Sequence, residues 1–310
     1  MPFVYFLRKI MESVPTLIGV TLITFVLLKL APGDPIYSII GERVTQDRET
    51  MIREQIDISK SAWPKQYVRY ISNIFKGDFG SSYVTKQPVI EGFSSRFPNT
   101  LRLAGISILL AVFSGIGLGI AGAYVKSPFF EKLLMILTTF GISTPVFWFG
   151  LLLIYIFARV LGVLPASGMG DGEVAYIILP AVTLASRSAA YLARMTRTSF
   201  DQVKHARFVL AARARGISSQ SVVLRHTLKN ALIPVITLIG LDFGSYLNGS
   251  VLTETIFGWN GVGSYLVTAI SQRDYPVIMG GVLLGTVIFI VVNIVMDFLY
   301  TLADPRIELK

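Results

Sequence analysis

Residues 194–234 read RMTRTSFDQVKHARFVLAARARGISSQSVVLRHTLKNALIP. This basic stretch, rich in small residues, lies between two long apolar segments. A polar insert of that kind splits a chain into membrane crossings and a surface element, so it decides the fold. The 310-residue chain is 53% hydrophobic and only 15% charged, well under the quarter of charged residues usual in soluble domains. The apolar excess is gathered into runs about as long as a bilayer is thick. Uncharged runs cover residues 103–124 and 133–158. Further runs cover residues 13–28, 174–193, 231–253 and 276–302, the last three carrying Arg187, Asp242 and Asp297. We therefore expect an all-α polytopic membrane protein with about six transmembrane helices, the first uncleaved.

Lys and Arg in short connections orient such a chain. Arg8 and Lys9, Lys126 and Lys132, the many cations of residues 194–229, and Arg306 with Lys310 fall on one side. The opposite short connections offer only Arg159 and Arg273. Both termini and the basic insert are expected to be cytoplasmic. The loop of residues 31–97 is then extracytoplasmic, with helix-like spacing over residues 50–58 and 64–75 and a break at Gly77 and Gly80. The absence of cysteine excludes disulfides, thiolate metal sites and cysteine nucleophiles. The only histidines, His205 and His226, both lie in the insert, which offers no catalytic or metal constellation. No GxxxxGK[ST] phosphate loop is present either.

Within the insert, Ala211, Ala212, Ala214 and Gly216 form a helix face with very small side chains. Arg207, Arg213, Arg215 and Arg225 surround it. Gly216 can end the first helix, and Ser218 or Ser219 can cap the next. Val222, Val223, Leu224 and Leu228 give the second helix an apolar stripe, with Asn230 and Pro234 marking the return to the membrane. Such a helix-turn-helix knuckle suits a socket on a cytosolic partner. A basic loop lying on anionic membrane lipids remains open. Nucleic acid is disfavoured, because no aromatic platform accompanies the charges. Inside the spans, Arg187, Asp242 and Asn248 are candidates for a translocation path or for pairing between helices. Glu254 and Arg273 flank a loop whose Gly258, Gly261 and Gly263 suggest a re-entrant turn.

AARARGISSQSVVLRHTLKNALIP (211–234) resembles the EAA-type loop of ABC importer permeases, specifically the B-type subunit of the dipeptide/oligopeptide/nickel branch. The likeness extends, in order, through PTLIGVTLITFVLLKLAPGDP (15–35), QYVRYISNIFKGDFGSSY (66–83), TPVFWFGLLLIYIFARVLGVLPASG (144–168), LPAVTLASRSAAYLARMTR (179–197) and ETIFGWNGVGSYLVTAISQRDYPVIMG (254–280). The chain departs from the branch at Arg207-Phe208, where an acidic-aromatic pair is usual, and at Leu210, where a basic residue is common. The glutamate that names the motif is absent, although Asp201 lies nearby.

The resemblance implies a type I ABC importer permease fold. It has an N-terminal helix (residues 1–30), an extracytoplasmic cap (31–97), a permease core (98–302) and a cytoplasmic tail (303–310). It implies one half of a path for peptides or a related small solute in a bacterial-type inner membrane. The implied partners are a second homologous permease, two cytosolic ATPases that hold the ATP, and an extracytoplasmic binding protein. The chain itself would need no cofactor. In its coupling loop, Arg207, Ala211, Ala212, Arg213, Ala214, Arg215, Gly216, Arg225, His226 and Pro234 would meet the ATPase. An ion-coupled secondary transporter or channel is the competing class, and nickel or glycoside import the competing cargo.

Overall fold

The computed structural model describes residues 2–31, 62–125, 127–218, 221–222, 227–247 and 250–303. Its described residues are almost wholly helical. The expected helix of residues 50–58, together with Arg225, His226 and Asn248, lies outside them. α1 is Pro2–Leu30 and α2 is Trp63–Phe75. α2 has Pro64 in its first turn, where a missing N–H costs nothing. It rests on α1, with the Tyr67 hydroxyl 3.0 Å from Thr21 Oγ1 and donating to the Ile18 carbonyl at 3.1 Å. Gly77 and Gly80 then take φ of 81° and 79°, left-handed values that suit a residue without Cβ.

α3 (Val89–Tyr124) and α6 (Val174–Lys204) form the most extensive helix pair. Small residues explain it. A Cβ at Gly115 would lie 2.6 Å from Leu192 Cβ and 2.8 Å from the Ala189 carbonyl. One at Gly119 would lie 2.5 Å from Thr196 Cβ and 2.7 Å from the Ala193 carbonyl. Close backbone approach of this kind is how helices associate where lipid removes the hydrophobic drive. α3 also runs unbroken through the 97/98 boundary between cap and core.

Two expected spans turn out differently. Residues 133–158 form no single straight helix: α4 (Pro128–Ser143) and the helix of residues 146–160 meet at 109°. The second half comprises α5 (Val146–Leu153) and a π-helical turn, Ile154–Val160. Pro145 lacks an N–H for the helix ladder and holds Thr144 in extended backbone (φ −79°, ψ 129°), so the helix cannot continue. Residues 231–253 are shorter as helix than expected. A one-turn helix, Leu228–Ala231, precedes α8 (Ile233–Leu247), and α9 (Val251–Ile256) is separate. Among the described residues four helices are long and apolar enough to cross a bilayer, or five counting the bent pair. Six requires α8 as well.

α10 (Val262–Ser271) and α11 (Tyr275–Ala303) complete the chain. One core cluster joins Leu103 and Ile108 of α3, Ala181 and Leu184 of α6, Tyr246 and Leu247 of α8, and Trp259. α11 packs on both α1 and α8. Asp297 of α11 accepts from the Tyr5 hydroxyl at 2.7 Å and pairs with Lys9 at 3.0 Å, tying last helix to first. Asn293 donates to its own helix at the Phe289 carbonyl.

Candidate functional site

α6 is 31 residues, roughly 46 Å at 1.5 Å per residue, against about 30 Å of hydrocarbon. It is therefore longer than a crossing needs, and its C-terminal turns carry the start of the basic insert. Arg197 pairs there with Glu131 of α4, Lys204 pairs with Asp201, and Arg194 donates to Thr139 Oγ1 at 3.3 Å. His205 is its C-cap residue. The first third of the basic insert is thus helix braced on α4.

α7 (Arg207–Ala214) follows and closes as a Schellman motif. The Ile217 amide donates to the Ala212 carbonyl at 3.3 Å while Gly216 takes φ of +78°. Ser218 Oγ accepts from the Ser221 amide at 3.4 Å, so Ser218 caps the following turn as expected. Val209, Ala212 and Val222 are buried together, with Val203 packed against them. Ala212 therefore faces inward and builds the knuckle's own core. Ala211, Ala214, Arg215, Gly216 and Arg207 are exposed. Arg213 lies on α7, and Pro234 opens α8 as anticipated.

Two residues given only as departures from a family pattern join this surface. Phe208 is 46% exposed and Leu210 51% exposed, flanking Ala211 and Ala214. Their signal was available in the sequence: large apolar side chains on a basic helix beyond the bilayer. The outer face of α7 is thus apolar and small-residued, with Arg207 and Arg215 exposed at its two ends.

A cavity of about 520 Å³ opens between α6, α8 and the start of α9. It is lined by Arg187, Ser188, Tyr191, Asp242, Ser245 and Tyr246, among others. The structure thereby brings Arg187 and Asp242 to one place. Ser188 and Asp242 both line the cavity. The Tyr246 hydroxyl donates to the Leu184 carbonyl at 2.9 Å and lies 2.5 Å from Ser188 Oγ.

The glycine-rich loop folds back as an α9–α10 hairpin around Glu254, which is fully buried. Glu254 Oε1 accepts from Thr100 Oγ1 at 2.9 Å, and Oε2 from the Ser264 amide at 3.0 Å. Thr100 Oγ1 in turn accepts from the Val262 amide, and Trp259 Nε1 donates to the Asn99 carbonyl at 3.0 Å. A Cβ at Gly261 would lie 2.4 Å from Glu254 Oε2, so the carboxylate fills the space that glycine leaves. At the α10–α11 junction Asp274 accepts from Ser82 Oγ and, at 3.0 Å, from the Tyr83 amide. Burial, with Asp274 beside it, pushes the Tyr83 phenol up to about 12. Among the described residues no group of three or more His, Asp or Glu could hold a metal ion.

A helical bundle of membrane-length segments with a basic knuckle defines a multi-span membrane permease. Residues 115–309 match the family described as the inner membrane component of binding-protein-dependent transport systems, and residues 2–104 match its N-terminal companion. The chain belongs to that family and is a permease subunit of an ATP-driven ABC importer of the bacterial inner membrane. It is 40% identical over 306 residues to a glutathione transport system permease protein GsiC of Salmonella paratyphi A, with 99% of each chain covered. It is 39% identical to the di/tripeptide transport system permease protein DppB of Pseudomonas aeruginosa, with 97% of each covered. A dipeptide transport system permease protein DppB of Alkalihalophilus pseudofirmus is 34% identical, covering 98% of this chain and 99% of its own. The fold is shared with the inward-facing MetNI methionine ABC transporter at TM-score 0.54 and 16% identity, covering 69% of this chain and 97% of that one. An amino acid ABC transporter crystallised with histidines gives TM-score 0.51 at 17% identity, covering 77% and 98%.

Proposed function

We propose that this chain forms half of a translocation path for di- or oligopeptides, or a chemically similar small solute, and that its knuckle receives the stroke of a partner ATPase. The printed functions of the glutathione and dipeptide relatives support the cargo class. The observation that carries the coupling role is the outward face of α7. Phe208, Leu210, Ala211 and Ala214 are exposed on it, with Arg207 and Arg215 exposed at either end. An apolar patch rimmed by charge is what a docking surface needs, and small residues let another backbone come close.

In this reading ATP is bound and hydrolysed by two cytosolic partner subunits, and the chain itself is neither enzyme nor cofactor carrier. A second permease completes the path, and an extracytoplasmic binding protein delivers cargo over the cap of residues 31–97. The core is residues 98–302, with residues 194–234 and both termini cytoplasmic. Gly216 serves by conformation, since its positive φ shapes the turn, while Ala212 supports the knuckle from within. Arg207, Ala211, Ala214 and Arg215 make the contact; Arg213, Arg225, His226 and Pro234 belong to the same loop.

The test is uptake of labelled Ala-Ala and glutathione by the whole assembly in proteoliposomes with ATP inside the cytosolic compartment. Ala214→Glu puts an unpaired charge into a buried interface, and uptake should fall about tenfold or more while the assembly still purifies intact. Undiminished uptake would remove the docking role from α7. Uptake that ignores ATP and follows an ion gradient would replace the importer reading with a secondary transporter.

A further inference from the structure

The cavity between α6 and α8 holds a charge arrangement that ATPase coupling does not use. Arg187 lies near the middle of α6 and Asp242 in the second half of α8, both within segments apolar enough for the bilayer. Charges at such depth are expensive unless they face an interior or a watered path. The described ion pairs lie elsewhere: Arg8 with Glu12, Lys9 with Asp297, Arg197 with Glu131 and Lys204 with Asp201. Among the described residues the Arg187 guanidinium makes no hydrogen bond or ion pair; it stacks over the Tyr191 ring at 5.7 Å and remains exposed to the cavity. A guanidinium carries five donors in a fixed fork that matches a carboxylate.

Asp242 is treated differently. It lines the cavity together with Ser188, which Tyr246 braces from the buried side. Its carboxylate has four acceptor sites in all, so capacity remains toward the cavity. Arg187 is close enough to act on Asp242 electrostatically. The lining of one cavity thus offers a cation from α6 and an anion from α8, together with Ser245 and Tyr191. At about 520 Å³ the cavity lies within the roughly 300–1,000 Å³ range of small-molecule sites. Residues 250–253 close one side of it. They open the hairpin that Glu254 ties to Thr100, so movement of that hairpin would reshape the cavity.

We propose that this cavity is a transient subsite for a zwitterionic solute, with Arg187 receiving its carboxylate and Asp242 its ammonium group. The inference rests on the peptide-import reading for its place in transport, and it adds residues and chemistry to that reading. Weak binding is what a path requires, since the solute must leave again.

The assembly, placed in nanodiscs without binding protein, is titrated with Ala-Ala, N-acetyl-Ala-Ala and Ala-Ala-amide. The wild type should bind Ala-Ala more tightly than either capped form. Arg187→Gln and Asp242→Asn should each weaken Ala-Ala binding about tenfold, the scale of one lost charged hydrogen bond, and the double variant about a hundredfold. Arg187→Lys and Asp242→Glu should retain most of it, and unfolding midpoints without peptide monitor folding. If the two charges merely neutralise each other, the double variant behaves better than either single one, and the proposal is overturned. Equal binding of all three probes by the wild type overturns it as well. Parallel uptake assays separate the two readings. Lost peptide uptake with charge-dependent binding intact sinks the import reading alone, whereas uptake without charge-dependent binding sinks the subsite alone.

Discussion

Glu254 shows how much of this molecule rests on single side chains. A carboxylate with no exposed surface is tolerated because two donors meet it, from Thr100 and Ser264. Glu254→Ala leaves those donors unpaired, and we expect a loss of about 3 kcal/mol or more, read as a lowered unfolding midpoint of the detergent-purified assembly. Glu254→Gln keeps the shape and part of the bonding and should cost less. An unchanged midpoint in the alanine variant would mean that water replaces the carboxylate. The sequence marks Glu254 as the edge of a glycine-rich loop and goes no further. Its partner Thr100 is 154 residues away, and no local pattern announces such a contact. Arg187 and Asp242 stand at the other extreme, since a charge in an apolar run is conspicuous.

Among the elements, the helices were legible from their apolar runs, and the Gly216 and Ser218 caps from residue type. The bend at Pro145 was missed because the runs on either side of it are uncharged, so composition alone gave one continuous crossing. The proline was visible, and its effect on Thr144 was the usable sign. Ala212 escaped for another reason: a small residue on a helix suits an interface and a tight core equally, and only the neighbouring Val209 and Val222 decide. The α3–α6 seam makes a sharper demand. At Gly119 an added Cβ meets the Ala193 carbonyl at 2.7 Å, which is backbone and cannot rotate away. Gly119→Leu should destabilise by about 1–3 kcal/mol or more, seen as a fall in unfolding midpoint and in purified yield. Gly117, with nothing within 4 Å of its added Cβ, is the matched control on the same helix.

For the whole molecule, the proposed sidedness rests on cation placement, and the absence of cysteine from the sequence makes it simple to test. A single cysteine at Ala214 should react with a membrane-impermeant thiol reagent only after the cytoplasmic face is opened. One at Lys86, exposed in the cap, should react in intact spheroplasts. The reverse pattern would invert the topology and remove α7 from any cytosolic motor.

The contact of Asp297 with Tyr5 and Lys9 has a consequence for biogenesis. The first helix enters the bilayer carrying a cation whose counter-ion sits on α11, made long afterwards. Until α11 arrives, the newborn chain keeps an unmatched charge on its first helix, so that helix cannot take its settled neighbour early. A chain truncated before Asp297 leaves that lysine unanswered.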